Sequence, residues 1–255
     1  WWDIKAVEDR GEEPSEWIET NANAAVPAVL SGLYTLLVFI GPSLMEDRNP
    51  VSIRETMIVY NGYQTILNAC MVAGLWGSAI LRGWPWWEQP VRGSPALLCF
   101  FLWVHYNNKF VEYADTIFMI LRKNSVQMTF LHCWHHFIMG WAWWCVLRYG
   151  AGGDAWYGSN ANSFIHVVMY AYYGLRALGY SLPKFMKQFV TQAQLVQFVL
   201  VSMQSVWLTY RKFVDGVEVY PLWLAILQFA VMANMFIMFI AFYRKAYNPD
   251  SKKAA

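Results

Sequence analysis

Seven stretches of roughly 20 mostly apolar residues, at about 24–45, 56–81, 97–121, 126–147, 155–175, 188–210 and 221–243, push nearly all the charge of this 255-residue chain into the gaps between them. Of its 19 Lys+Arg and 17 Asp+Glu, only Lys109, Glu112 and Asp115 fall inside a stretch. A run of about 20 apolar residues is the helix length that crosses a hydrocarbon layer, where helices and closed barrels alone satisfy the backbone. The spacing therefore predicts an all-α integral membrane protein with seven transmembrane helices. Composition agrees, since 14% charged residues compares with ~25% in a soluble domain. The mean hydropathy of +0.26 is held down by 15 Trp and 15 Tyr, which suit membrane interfaces. Disorder, a disulfide scaffold and nucleic-acid binding are disfavoured, and a net charge of +2 suggests no polyanionic partner. Cys70, Cys99, Cys133 and Cys145 all lie in apolar runs and read as small buried hydrophobes.

The predicted organisation is an acidic arm over 1–23, a seven-span domain over 24–243 and a basic tail over 244–255. Acidic residues precede the first span where a cleavable signal peptide would be basic, and a chain opening on Trp1 reads as trimmed. Gly41-Pro42, Pro85, Pro90, Gly150 to Gly153, Pro183 and Pro221 are the expected breakers. Seven spans put the termini on opposite sides. The C-terminal side then carries eleven Lys/Arg and the other side seven, so the positive-inside rule predicts a lumenal N-terminus and a cytoplasmic C-terminus.

The polar residues inside the spans form stripes. His105, Lys109, Glu112 and Thr116 share one helical face of the third span, with Asp115 beside it. Ionisable groups at that depth are functional candidates by default, although a self-neutralising Lys109–Glu112 pair at i, i+3 would be a purely structural use. The fourth span holds HCWHH, with His132, His135 and His136 at i, i+3, i+4; the fifth holds NSFIHVVMYAYY, with Asn162, His166, Met169, Tyr170 and Tyr173 in one stripe; the sixth opens TQAQLVQF, with Thr191, Gln194 and Gln197. Asn61, Gln64 and Asn68 of the second span are weaker members. In the predicted topology His135, His166 and Glu112 each lie nine residues from the cytoplasmic end of their span, which is about 14 Å deep.

Two chemistries fit clustered imidazoles. Neutral histidine is a common metal ligand, but five histidines in all are few for a paired-iron set, leaving a single-metal site on the HCWHH trio as the metal reading. The alternative uses imidazole as base, nucleophile and oxyanion donor, with Lys109, Glu112 and Asp115 fixing tautomers and balancing charge. With an apolar path between helices and basic residues at its mouth, that reading is acyl transfer on a lipid-like substrate.

KFVEYADT (Lys109 to Thr116), HCWHH, NSFIHVVMYAYY and TQAQLVQ together resemble the signature motifs of the very-long-chain fatty acid elongase family, in its order, from about residue 30 to the end. The resemblance implies seven spans, the last six forming a helical barrel around a cytosol-facing acyl tunnel. It implies decarboxylative Claisen condensation of malonyl-CoA with an acyl-CoA, giving 3-oxoacyl-CoA, CO2 and CoA, with no metal and no cofactor. Its histidines fall on His132, His135, His136 and His166, His135 as acyl-accepting nucleophile and His166 across the tunnel. Supporting residues would be Lys109, Glu112, Asp115, Asn162, Tyr170, Tyr172, Tyr173 and Gln194. Cys133 and Trp134 depart mildly from the commoner HxxHH fillers.

Gln127 and Ser163 fit the polyunsaturated-acyl branch of that family. Arg122, Lys123, Lys184, Lys187, Arg244 and Lys245 lie on the predicted cytoplasmic side as candidate CoA contacts, each equally readable as a solvated basic loop. The final KKAA, with Lys252 and Lys253, is similar to a dilysine retrieval signal for the endoplasmic reticulum. Expected partners are membrane lipid and the ketoreductase, dehydratase and enoyl reductase of an elongation cycle; a homodimer is left open. The competing classes are an iron-dependent desaturase or hydroxylase and a seven-span receptor or transporter. The last span has no lysine for a retinal Schiff base, and no inverted repeat is visible.

Overall fold

The computed structural model describes residues 2–83 and 86–247. Among them are ten helices and no strand: α1 Trp2–Asp9, α2 Pro14–Asn21, α3 Ala25–Leu44, α4 Arg54–Leu81, α5 Ala96–Val111, α6 Tyr113–Leu121, α7 Phe130–Tyr149, α8 Ala155–Leu178, α9 Lys184–Val214 and α10 Leu222–Tyr247. The breaker Pro85 and the KKAA terminus lie outside the described residues.

The predicted spans map onto α3 to α10. On length and composition four can cross a bilayer: α3, α4, residues Phe185–Val214 of α9, and α10. The others fall short for visible reasons. The third predicted span is divided at Glu112 into a 16-residue and a 9-residue helix. The histidines and tryptophans of α7 and the Asn and Tyr residues of α8 dilute their hydropathy. Gly41 and Pro42, expected in a loop, belong to the last turns of α3, where a Cβ on Gly41 would press on Ile120 of α6 at 2.8 Å.

Six helices close a ring. α4 packs on α5 and α8, α5 on α7, α7 on α10, α10 on α9 and α9 on α8, while α3 lies outside against α6 and α7. The ring buries polar stripes together with apolar clusters, among them Met71, Leu75 and Leu102 toward the arm end and Met139, Phe198 and Met235 between α7, α9 and α10. On α4, Asn61, Gln64 and Asn68 are buried while Val59, Ile66 and Leu81 are exposed, the pattern of a helix that faces lipid with its apolar side. The cysteines correct one expectation: all four are free, but only Cys99 is buried, and Cys70 is exposed on the apolar exterior.

The acidic arm folds. Ile4, Val7 and Ile18 are buried, and the carboxylates engage the loop ahead of α5: Glu8 accepts the Ala96 N–H (3.0 Å), Glu13 accepts the Gly93 N–H (3.0 Å), and Glu19 pairs with Arg92 (2.8 Å). Glu8 thereby satisfies an orphan donor in the first turn of α5. Burial pushes the Glu8 carboxyl up, but the Ala96 N–H and the Lys5 ammonium hold it below its ordinary value. At the same end the 88–94 loop seats on α8: Asp154 accepts the Glu88 N–H (3.1 Å) and the Gln204 side-chain amide reaches the Asp154 carbonyl (3.0 Å). At the opposite, tail end, Arg54 caps the last carbonyls of α8 at Ala177 and Leu178 (2.8 and 2.9 Å), and Gly179 ends that helix at φ +100°.

Two glycines carry close approaches. Gly153 has φ +49° and a Cβ there would drive into the Gln89 and Pro90 backbone; a Cβ on Gly74 of α4 would overlap the Phe101 ring of α5. Gly153→Ala should lower the melting temperature in detergent by the equivalent of about 2–3 kcal/mol. Gly74→Ala should cost less, about 1–2 kcal/mol, because a ring can shift where backbone cannot. Equal melting temperatures for both variants and the parent would show that neither approach is tight.

Candidate active site

Three nitrogens converge on one carboxylate oxygen inside the ring, two of them donating to it. Glu112 Oε1 accepts from Lys109 Nζ (2.9 Å) and Asn108 Nδ2 (3.1 Å), and His166 Nδ1 of α8 lies 3.1 Å away. Lys109 also donates to Asn162 Oδ1 (2.9 Å), which stands one turn before His166, and Asn108 donates to Gln64 Oε1 of α4 (3.0 Å). The Lys109 and Glu112 side chains are each 1% exposed. An ion pair at that depth needs further polar partners, and here α5 and α8 supply them directly while Gln64 of α4 holds Asn108 in place.

The helix break at Glu112 shapes this arrangement. The Asp115 N–H bonds back to the Glu112 carbonyl (3.1 Å), a tightened turn between α5 and α6 that re-aims the next side chains. Asp115 therefore does not join Lys109 or a histidine, as charge counting along the stripe suggested. It accepts from the hydroxyls of Tyr60 (3.2 Å) and Tyr170 (2.7 Å).

The HCWHH histidines occupy the first turns of α7, begun by Thr129, whose hydroxyl accepts the His132 N–H (3.2 Å). They sit in three different settings. His132 Nε2 lies 2.8 Å from Thr116 Oγ1, which also meets the Tyr34 hydroxyl (3.1 Å). His136 is buried, its ring 4.5 Å from that of His132 and 6.2 Å from those of Tyr34 and Tyr113. His135 is half-buried, its ring 5.2 Å from His136, and it lies within electrostatic reach of Glu112, Lys109 and His166. Among the described hydrogen bonds none involves the ring of His135 or of His136; His136 is enclosed by the His132, Tyr34 and Tyr113 rings, whereas His135 is the half-buried one beside the charged cluster.

Other expected members are less central. The Tyr172 ring meets that of Tyr173 edge-on (5.8 Å), and Tyr173 is 43% exposed. Gln194 reaches the Met169 sulfur (3.8 Å) and none of the charged cluster. Arg122, Lys123, Lys187, Arg244 and Lys245 are exposed at the tail end, Lys123 bonding the Glu46 carbonyl (2.7 Å), while the Lys184 side chain lies outside the described residues. Cavities of about 610 Å³ between α9 and α10 and about 220 Å³ beside Met45 and Met119 lie away from the histidines. Sequence reasoning missed Asn108, Tyr60, Tyr34 and Tyr113. Asn108 was the most accessible of these, since it precedes Lys109 by one residue and Glu112 by one turn. Among the described residues, no group of three or more His, Cys, Asp or Glu is arranged to hold a metal ion.

Removing Lys109 alone tests whether the pair is held charged. Lys109→Met should cost about 3–5 kcal/mol in thermal or denaturant unfolding, because it strands a buried carboxylate. Adding Glu112→Gln should recover most of that loss; a single variant as stable as the parent would show that Glu112 carries no buried charge.

The GNS1/SUR4 (ELO) family model matches residues 20–255. "Very long chain fatty acid elongase 4" of Mus musculus is 36% identical over 225 residues, covering 86% of this chain and 70% of that protein. "Very long chain fatty acid elongase 5" of Tachysurus fulvidraco is 38% identical over 230 residues, covering 87% of this chain and 75% of that protein. The corresponding protein of Xenopus laevis is 37% identical over 236 residues, 88% and 76% of the two chains. With a family match over most of its length, relatives at this identity and an all-helical membrane architecture, the chain belongs to the ELO (GNS1/SUR4) family.

Proposed function

We propose that this protein is the condensing enzyme of a fatty acid elongation cycle, joining malonyl-CoA to a long-chain acyl-CoA through an acyl-histidine. Family membership and elongase relatives support fatty acid elongation, with acyl-CoA and malonyl-CoA as substrates. The observation that carries the mechanism is the contrast among the histidines: His132 meets the Thr116 hydroxyl, His166 lies against Glu112 and His136 is enclosed by aromatic rings, whereas His135, with no hydrogen bond to its ring among the described residues, is half-buried beside the Lys109–Glu112–His166 cluster.

In the first half-reaction a ring nitrogen of His135 attacks the acyl thioester carbonyl. The C–S bond breaks, and the imidazole proton passes to the departing CoA sulfur, with His166, oriented by Glu112, as the relay. In the second, malonyl-CoA loses CO2. The resulting enolate carbon attacks the acyl-imidazole carbonyl, the C–N bond breaks, and the freed ring takes up one proton from solvent by the same relay. The products are 3-oxoacyl-CoA, CO2 and CoA. Enolate and tetrahedral oxyanion would form beside fixed N–H donors in a water-poor ring, where such dipoles stabilise charge most.

The six-helix ring is read as the wall of an acyl tunnel entered from the cytoplasmic tail end, with seven spans in all and the arm lumenal. Arg122, Lys123, Lys184, Lys187, Arg244 and Lys245 are proposed to meet the CoA phosphates. The acyl substrate is proposed to be polyunsaturated, the location the endoplasmic reticulum, and the partners the ketoreductase, dehydratase and enoyl reductase of the cycle.

Intact-mass spectrometry of purified protein with acyl-CoA alone should show one added acyl group, lost on addition of malonyl-CoA. His135→Ala should remove the adduct and lower elongation about 10³-fold or more. An adduct that persists in His135→Ala at full activity would overturn the nucleophile.

A further inference from the structure

A second polar layer lies inside the ring, nearer the arm end than the histidine cluster. His105 is fully buried; its Nδ1 lies 3.1 Å from Ser163 Oγ of α8, and its ring packs edge-on against Trp143 of α7 at 4.3 Å. Three ring helices thus supply one level. His105 precedes Glu112 by seven residues, Trp143 follows His136 by seven, and Ser163 precedes His166 by three, which sets this level about 5–10 Å beyond the reactive one.

The Nε2 of His105 is buried with no hydrogen-bond partner. Counting hydrogens assigns its tautomer. If Ser163 donates to Nδ1, one group is left over, an Nε2–H. If Nδ1 donates to Ser163, two are left over, the serine hydrogen and a bare nitrogen lone pair. The first costs less, so Nε2 carries a hydrogen that meets no hydrogen-bond acceptor among the described residues. A buried donor left unmade is expensive, and in a ring built to receive a ligand the ligand is the natural acceptor.

We propose that His105 Nε2–H is a specificity-determining donor that meets the π electrons of a cis double bond in the acyl chain. The proposal rests on the acyl-tunnel reading above. A chain extending from the reactive carbonyl toward the arm end advances about 1.25 Å per methylene, given bonds of about 1.5 Å. It reaches the His105 level, about 10 Å on, after on the order of eight carbons. A saturated chain at that level leaves the donor unpaired; an unsaturated one gives it an acceptor, and Trp143 adds an apolar wall. The interaction is weak individually and shows as a preference, not an absolute requirement.

The test compares oleoyl-CoA with stearoyl-CoA, equal in length and differing by one mid-chain double bond, in elongation with labelled malonyl-CoA by full-length protein. The parent should favour oleoyl-CoA in kcat/KM. His105→Leu should lower that preference about two- to fivefold; His105→Gln, which keeps a donor, should retain it; Ser163→Ala, which frees the tautomer, should lose part of it. An unchanged preference in both His105→Leu and Ser163→Ala overturns the proposal. If His105→Leu does not fold, His105→Gln and Ser163→Ala decide alone: a kept preference in the first and a reduced one in the second support the proposal, and any other pair of results overturns it. Should the parent elongate neither substrate, the condensing-enzyme reading fails. Ligand-induced thermal shifts by the two acyl-CoAs then read the His105 layer alone: a larger shift with oleoyl-CoA that vanishes in His105→Leu supports it, and equal shifts in the parent overturn it.

Discussion

The buried Lys109–Glu112 pair sets the terms for everything around it. Neither charge can stay in a low-dielectric interior unless its remaining valences are filled, since desolvation costs each ion several kcal/mol. Asn162 takes one Lys109 hydrogen, and Asn108 and His166 approach the Glu112 oxygen already occupied by lysine. These partners come from two helices, and Gln64 on a third orients Asn108. Packing α4, α5 and α8 together and satisfying the pair are therefore one requirement. The polar faces of α4, α5 and α8 turn inward because the pair needs them, and the apolar faces are left for the outside.

That coupling explains what was legible in the sequence. Stripes at helical spacing on adjacent spans named Lys109, Glu112, Asn162, His166 and the HCWHH trio, because a helix fixes which side chains share a face regardless of its neighbours. The outward apolar residues marked α3, α4, α9 and α10 for the same reason. The rest depended on features that spacing does not encode. The break at Glu112 moved Asp115 out of the charged cluster to the hydroxyls of Tyr60 and Tyr170, and no Pro or Gly announces it. Tyr60 and Tyr34 were invisible because tyrosine is equally at home facing lipid headgroups, core or site. The arm showed in the sequence only as an acidic stretch, because the N–H groups of Gly93 and Ala96 that its carboxylates cap lie 80 and 88 residues away along the chain.

The two carboxylates of the α5–α6 junction end up electrostatically unlike, although three residues apart. Glu112 is compensated by a full cation, so beyond a few ångströms the pair acts as a dipole whose field falls off steeply. Asp115 is held by neutral hydroxyls, which offer hydrogen bonds but no opposite charge. The imidazoles surrounding the compensated pair are consequently differentiated by their local partners more than by net charge. His132 has the Thr116 hydroxyl, His166 has the Glu112 carboxylate, His105 has the Ser163 hydroxyl, and His136 has two tyrosine rings. His135 has none of these and is half-buried. A cluster of chemically identical side chains thus acquires distinct settings from which neighbour each was given, and none of the neighbours named belongs to the same helix as the histidine it meets.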